Sequence, residues 1–431
     1  MRKKQLNTQT PDPELAREIC ATLRKAGHVA YFAGGCVRDQ LLGIIPKDYD
    51  IATSAPLSAV QQLFDKTIPV GEAFGVCLVV LDGRSFEVAT FRKDGPYKDG
   101  RRPSFVEFTD AEEDAQRRDF TVNALFLDPE TNQVLDYVGG EADLAKGVLR
   151  TVGDPAERFQ EDYLRLIRAI RFSTRLGFEM EPQTRAAIKP LAPQIQGISA
   201  ERIGDEFSKI ITGPFPAQAI RLLDETGLLQ EILPEVKAMQ GVEQPPEFHP
   251  EGDVYVHTLL LLEQLDRPTL SLAMATLLHD VGKPPTQTFE DRIRFNGHDR
   301  LGAQMAETIC QRFRFSNKTT EEVCWLIDQH MRLGALPQMK EAKRKRLVRN
   351  AGFDELLALG LMDCKASHND CSTITWILEY LAELKPETTH PPQFLTGKDL
   401  IAMGYQPGPE FKTILIKLED AQLEGQVKTE A

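Results

Sequence analysis

The sequence predicts a mixed α+β fold, a compact α/β head with a small mixed sheet followed by an all-helical body. Three observations carry this. Between residues 28 and 155, short β-branched and aromatic runs alternate with short helical segments. From Glu157 onward, apolar residues recur at helical spacing almost to the end. Pro and Gly punctuation at Gly213-Pro214, Gln244-Pro245-Pro246 and Pro391-Pro392 then breaks that body into modules.

The elements follow in order. Residues 13 to 27 read as a helix that stops at Gly27. Strands are expected at His28 to Ala33, Asp48 to Thr53, Gly75 to Leu81, Ser85 to Arg92, Leu125 to Asp128 and Gln133 to Tyr137, with a helix at Leu57 to Phe64. The head therefore spans 28–155. A helical neck (156–245), a third module (246–385) and a helical tail (386–431) follow. Within the neck, Ile198 to Ile211 reads as a helix with Ser199 at its N-cap and Glu201 in its first turn. Arg202 stands where a full capping box needs Glu or Gln, and this helix is read as structural. No internal repeat or low-complexity stretch is present.

With 431 residues the chain has room for roughly two to four domains. A hydrophobic fraction of 42% and a charged fraction of 27% are those of an ordinary soluble globular protein. No apolar run reaches the roughly 18 residues of a membrane span. Met1-Arg2-Lys3-Lys4-Gln5-Leu6-Asn7 is basic but lacks the apolar core of a signal peptide. Seven cysteines without a Cys-x-x-Cys pair fit free thiols in a reducing cytoplasm better than a disulfide or zinc framework. The net charge of −13 argues against a generic nucleic-acid coat but leaves room for local basic patches. One such patch is Lys340, Lys343, Arg344, Lys345, Arg346 and Arg349, which reads either as a solvated helix face or as an RNA contact.

Asp48-Tyr49-Asp50 is the most informative feature. On a strand, residues i and i+2 share a face, whereas a helix would set them about 200° apart. Both carboxylates thus aim at one point, which suits magnesium held by carboxylates together with substrate phosphates. Upstream, the Gly34-Gly35-Cys36-Val37-Arg38-Asp39 turn lets backbone approach a phosphate, and Arg38 adds a cation. A lone Asp-x-Asp is usually a solvated turn; at this spacing from a glycine turn and an arginine, it points to triphosphate chemistry. In Ser85-Phe86-Glu87-Val88-Ala89-Thr90-Phe91-Arg92, Glu87 faces away from Phe86 and Val88. It either completes a metal site from a neighbouring strand or is a surface glutamate. Arg117-Arg118-Asp119-Phe120-Thr121-Val122-Asn123-Ala124 supplies guanidinium forks that match phosphate oxygens. Between these lies a polar Gly/Pro loop from Arg92 to Pro103 that carries Tyr97 and Arg102. Glu161-Asp162-Tyr163-Leu164-Arg165 opens the helical body. On one helix Asp162, Arg165 and Arg168 stay within about 120° of each other, while Arg171 drifts away.

These motifs resemble those of the class II tRNA nucleotidyltransferases and bacterial poly(A) polymerases, over roughly residues 28 to 240. The resemblance implies that Asp48 and Asp50, with Glu87, are catalytic and hold magnesium. It implies that Gly34, Gly35, Arg38, Arg118, Asp119 and Asn123 bind the nucleotide. Asp162, Arg165, Arg168 and Arg171 would serve as a protein template for the incoming base, and the 92–103 loop as the flexible loop that switches between CTP and ATP. Pro69-Val70-Gly71-Glu72-Ala73-Phe74-Gly75-Val76 lacks the Arg-Arg-Phe run of the poly(A) branch, which favours CCA addition to a tRNA 3′ end in the cytoplasm. A poly(A) polymerase and an A-adding specialist are the alternatives within the class.

A second constellation lies further on. His257, His279-Asp280, His298, His330 and Asp363 are residue types that ligate a transition metal. With Val281-Gly282-Lys283-Pro284 following, His279-Asp280 resembles the HD-domain phosphohydrolases. That resemblance implies His257, His279, Asp280 and Asp363 as ligands, His298 and His330 as the extra positions of two-metal members, and an action on RNA ends or nucleotides. An HD phosphohydrolase with a vestigial head and a non-enzymatic RNA-binding protein are the readings from other classes. The tail from Phe394 through Gly425 is expected to be helical and to contact tRNA.

Overall fold

The computed structural model describes residues 12–427 except 72–73, 98–99, 101–102, 248, 251, 290–291, 368–369, 386–388 and 391. The expectations for Met1–Asn7 and for Arg102 lie outside the described residues, as do Glu72, Ala73 and Pro391. The chain divides into two compact units, Met1–Ile232 and Leu233–Ala431.

The first unit runs α1 (Pro13–Lys25), β1 (Ala30–Ala33), α2 (Gly35–Leu41), β2 (Ile51–Thr53), α3 (Leu57–Leu63), β3 (Thr67–Gly71), β4 (Val76–Leu81), β5 (Arg84–Thr90), β6 (Arg92–Asp94) and β7 (Val106–Phe108). It continues with α4 (Ala111–Gln116), β8 (Phe126–Leu127), β9 (Val134–Leu135), α5 (Gly140–Lys146), β10 (Val148–Leu149), α6 (Pro155–Glu161), α7 (Leu164–Leu176), β11 (Glu179–Met180), α8 (Pro182–Leu191), α9 (Ala200–Ile211), α10 (Pro216–Glu225) and α11 (Leu228–Ile232). Asp12 caps α1 through the N–H groups of Glu14 and Leu15, and Gly27, at φ 88°, ends it.

Seven strands form one sheet in the order β3-β4-β5-β2-β1-β8-β9. Only β2 and β5 run parallel, with Ile51 opposite Val88; the other neighbours are antiparallel. Phe32, Phe86, Val88, Phe91, Phe120 and Phe126 are buried in the core of this unit. The sheet corrects several boundaries. β3 was not expected, because Pro69 and Gly71 are poor strand residues; it lies at the sheet edge, where a missing N–H is tolerated. The strand expected through Arg92 stops at Thr90, and Arg92 begins the separate β6–β7 ribbon.

The second unit is built from helices that include Val254–Leu262, Leu270–Leu278, His298–Arg312, Asn317–Gln329, Phe353–Ala366, Ser372–Glu383 and the tail helix Pro409–Leu423. The helical body is not wholly free of strands. Gln287–Phe289 pairs with Ile293–Phe295 here, as β10 pairs with β11 in the first unit.

Two further expectations change. Cys364 and Cys371 are paired in a disulfide, Cα to Cα 5.9 Å, whereas Cys20, Cys36, Cys77, Cys310 and Cys324 are free. Their spacing carries no local motif; the end of one helix and the start of the next bring them together. The basic run at 340–349 is largely neutralised inside the unit. Arg346 pairs with Glu419 and Asp420, each at 2.6 Å, and Arg349 with Glu419 at 2.6 Å, so these cations hold the tail helix.

Candidate functional site

The head site sits where β1, β2 and β5 meet. Gly34 ends β1 at φ 70° and ψ −120°, and α2 begins at the next residue, so the expected turn through Asp39 is a turn at Gly34 followed by a helix. Gly34, at φ 70°, takes a conformation that favours glycine, and a Cβ there would lie 2.8 Å from Arg118 Nη1. Asp48 and Asp50 precede β2 rather than lying in it, yet the alternation is kept. Asp48 is exposed, Tyr49 is buried against Phe32 with ring centroids 5.1 Å apart, and Asp50 is half-buried. Glu87 projects from the exposed face of β5, opposite buried Phe86 and Val88. Because Ile51 pairs with Val88 in parallel register, Asp50 and Glu87 come to adjacent rows.

The electrostatics follow from that convergence. Burial, then Glu87 and Asp48, push the Asp50 carboxyl up to about 7, and Arg118 pulls the other way. Glu87 is likewise raised by burial and by Asp48. Asp50 and Glu87, raised by burial and by neighbouring carboxylates, lie close enough to other acids to suit a hard divalent cation. Arg118 leans over Phe126 (4.9 Å), donates to the Asn123 carbonyl at 3.1 Å and pairs with Asp114 Oδ2 at 3.0 Å. Arg117 holds the other oxygen of Asp114 at 2.6 Å. Asp114 was missed in the sequence, although its i,i+3 and i,i+4 spacing to the two arginines was a visible signal.

The other nucleotide residues form a buried chain. Arg38 is 2% exposed and donates to Asp39 Oδ1 (2.8 Å from Nε) and to the Asn123 side chain, so its guanidinium is enclosed rather than held out to a ligand. Asn123 donates to Asp119 Oδ1 at 3.2 Å. Arg168 donates to Asp119 Oδ2 at 2.9 Å from Nε, and Arg171 pairs with Glu206 at 2.9 Å. Burial would raise Asp119, but Arg168 and Arg165 bring it down to about 2. Burial also lowers Arg171 to about 10.

Asp162 departs from the expectation of one continuous helical face. It is extended, at φ −145° and ψ 105°, in the break between α6 and α7. Its Oδ1 accepts from the Leu164 N–H at 3.1 Å, and its Oδ2 from Arg202 at 2.6 Å. Arg165, 8% exposed, donates to Glu161, to the Arg158 carbonyl at 2.8 Å and to the Arg117 carbonyl at 3.1 Å. Ser199 does occupy the N-cap of α9, without a side-chain capping bond. Of the loop, Tyr97 donates to Asp94 Oδ2 at 2.7 Å.

The second unit brings together all six of its expected residues. His257, His279 and Asp280 form one group able to hold a metal ion, and Asp280, His298 and His330 form another, with ligand atoms within 4.8 Å inside each group. Asp280 belongs to both. Asp363 joins through His257, at 3.0 Å from Nε2. Three of the imidazoles are oriented by backbone carbonyls: His279 Nδ1 by Thr276 (3.0 Å), His298 Nδ1 by Phe295 (2.8 Å) and His330 Nδ1 by Ile327 (2.6 Å). A proton on each Nδ1 leaves the Nε2 lone pair for a metal. Buried His279 Nε2 lies 3.1 Å from Asp280 Oδ2, so its lone pair and that carboxylate oxygen face the same point. Burial, then His279, lowers His330 to about 4, so its imidazole is neutral at pH 7. Burial opposes it, but His279 and Lys283 hold Asp280 well below the usual carboxylate range. Gly282 has a steric reason: a Cβ there would collide with the His298 carbonyl and crowd Gly302 N. A cavity of about 570 Å³ opens beside the cluster, lined among others by Arg292, His249 and Lys283. His249 was not singled out in the sequence; its ring lies 4.8 Å from that of His257.

Comparison with known proteins finds matches to three domains along the chain. The family model described as "Poly A polymerase head domain" matches residues 30–150. The model described as "Probable RNA and SrmB- binding site of polymerase A" matches 177–240, and "HD domain" matches 254–352. A curated CCA-adding enzyme of Anoxybacillus flavithermus is 48% identical over 222 residues, 51% of this chain and 55% of the relative. One from Geobacillus kaustophilus is 47% identical over 219 residues, 51% of this chain and 54% of the relative. The matched stretch thus spans about half the length of these curated relatives. The crystal structure of the Bacillus stearothermophilus CCA-adding enzyme in complex with CTP aligns at a TM-score of 0.74 and 30% identity, covering 96% of this chain and 94% of that one.

Proposed function

The chain belongs to the family of class II tRNA nucleotidyltransferases and bacterial poly(A) polymerases, in its HD-bearing form, and we propose that it adds CCA to tRNA 3′ ends from CTP and ATP in the cytoplasm. The carrying observation is the convergence of Asp48, Asp50 and Glu87 beside Gly34 and Arg118. Magnesium held by Asp48 and Asp50, with Glu87 beside them, would supply activation of the tRNA 3′-hydroxyl and neutralisation of the leaving pyrophosphate. Gly34 leaves backbone open to a phosphate. Arg118, held in place by Asp114, grips the triphosphate. Asp162 and Arg165 read the base. Arg168 ties their segment to the head through Asp119. Arg38 acts from within, fixing Asn123 rather than touching phosphate. The loop carrying Tyr97 takes part in the change from CTP to ATP.

In functional terms we divide the chain into a head (28–155), a neck (156–245), an HD module (246–385) and a tail (386–431). The HD module is assigned a phosphohydrolase activity on RNA ends or nucleotides. His257, His279, Asp280 and Asp363 would hold a divalent transition metal, with His298 and His330 for a second ion; the two donor groups that share Asp280 support that fit. Such a metal supplies an activated water and charge neutralisation at phosphorus.

Incorporation by the purified full chain with magnesium tests the reading. The substrates are tRNA lacking its last three nucleotides and tRNA ending in CC, with labelled CTP and ATP separately and together. Addition that stops at three nucleotides is expected. Action on CC-ended tRNA alone would mean an A-adding specialist, and an open adenosine ladder a poly(A) polymerase. No incorporation would overturn the proposal in favour of the HD site.

A further inference from the structure

Asp363 lies near the C-terminal end of the helix Phe353–Ala366, with Oδ1 3.0 Å from His257 Nε2. Cys364 follows it directly. Ser367, one turn on, donates from Oγ to the Asp363 carbonyl at 2.8 Å and lies 3.4 Å from Asp363 Oδ1. The partner of Cys364 is Cys371, the N-cap residue of the helix Ser372–Glu383. Cys364, Ser367, Asp370, Thr373 and Ile374 all line the cavity beside the histidine cluster. The cross-link therefore ties the helix that presents Asp363 to the helix that walls the same cavity, across seven positions of chain. Its chemistry fits a switch better than a staple. Disulfides inside a reducing cell are mostly transient and redox-sensing. A pair seven positions apart closes a short loop, where the gain in stability is small. Both cysteines are half-buried, and Cys364 borders the cavity, from which a small thiol reaches it. Cys20, Cys36 and Cys310 are free but buried, and burial pushes each of those thiols up to about 12, which leaves them protonated and inert at pH 7.

We propose that the Cys364–Cys371 pair is a redox switch on the metal centre of the second unit: closed, it holds Asp363 in place as a ligand; open, it loosens that ligand. This rests on the reading of the unit as an HD metal site. Opening takes a dithiol reductant. One of its thiolates attacks Cys364 Sγ, which forms a mixed disulfide and releases Cys371 as a thiolate. The second thiolate of the reductant then closes its own disulfide and releases Cys364. Two electrons and two protons pass to the protein, which ends with two thiols. A small-molecule disulfide runs the exchange in reverse and leaves as two thiols. With the link open, the helix end that carries Asp363 is free to fray. A ligand that must be ordered as the ion binds holds it less tightly.

The test uses the full chain, oxidised with glutathione disulfide or reduced with dithiothreitol, then freed of either reagent without oxygen. Alkylation after unfolding counts the thiols, and competition with a chelator measures the affinity for manganese(II). Manganese is the probe because a hard ion is poorly captured by the freed thiols. Asp280→Asn supplies the blank for ions held by the head. Five thiols are expected in the oxidised chain and seven in the reduced one. Reduction should weaken manganese binding about tenfold. Cys371→Ser should show the affinity of the reduced chain after either treatment, with nucleotide incorporation by the head unchanged. Seven thiols after glutathione disulfide, or equal affinity in the two states, would overturn the inference and leave the HD reading standing. A chain that binds no manganese above the blank in either state would remove the HD reading and the inference with it. If Cys371→Ser fails to fold, the two states of the unsubstituted chain decide.

Discussion

The carboxylate centre of the first unit and the histidine centre of the second gather their ligands by opposite means. In the head, acids from β5 and the approach to β2 face each other, and burial with Glu87 and Asp48 outweighs Arg118 to leave Asp50 raised to about 7. The surrounding arginines are held in place by Asp114 and Asp119. In the second unit the donors are pre-aimed: three Nδ1 atoms lean on backbone carbonyls, and Asp280 stays ionised among His279, Lys283 and His257. Under the proposed function, the charge left unbalanced in the head is what a metal-bound triphosphate would complete. Donors fixed by backbone carbonyls are organised before any ion binds.

The sharpest way to break this contrast is Asp50→Ala. It should lower nucleotide incorporation by about a thousandfold or more, several kcal/mol of transition-state stabilisation, with tRNA binding by filter retention largely kept and the metal content of the HD module unchanged. The mirror experiment is Asp280→Asn. Because Asp280 serves both donor groups, affinity for a transition metal measured by competition with a chelator should fall about 100-fold, while CTP and ATP incorporation persists.

Gly282→Ala sharpens the comparison without touching a ligand. The new methyl meets the His298 carbonyl, so a loss of about 1–3 kcal/mol in urea unfolding of the second unit is expected; a neutral substitution would mean that this close approach does not position the histidines. The smallest effect concerns Asp119. A carboxyl lowered from 3.8 to about 2 contributes stability that is fully present above about pH 4 and is lost as pH falls through about 2. Asp119→Asn should therefore flatten the acid limb of stability by roughly 2 kcal/mol between pH 6 and pH 2, read as urea midpoints.

The residues legible in the sequence share one property: their signal is local. Asp48 and Asp50 carry period-two alternation, and it survives even though β2 begins only at Ile51. Glu87 was assigned its face by its neighbours Phe86 and Val88, and that face is the exposed one. His279-Asp280 with Gly282 is a contiguous string. What was misread depends on partners far along the chain. Arg38 is enclosed by Asn123, 85 positions away, and Arg202 meets Asp162 from another helix, 40 positions away. Cys364 and Cys371 pair across a junction between helices, and Arg346 and Arg349 meet Glu419 on the tail helix.

By itself the sequence determined the order of the α/β head and helical body, the alternation that turns Asp48, Asp50 and Glu87 to one side, and the six residues that the second unit brings together. Backbone periodicity and contiguous motifs act over a few residues and need no partner to be read. Only the tertiary structure decided which arginines are held out to a ligand and which are enclosed, that Asp162 stands in a break rather than on a helix, and that a buried nitrogen of Arg202 lies beside it. Those outcomes depend on burial and on charge pairs between distant segments, which form only when the helices and the sheet have packed.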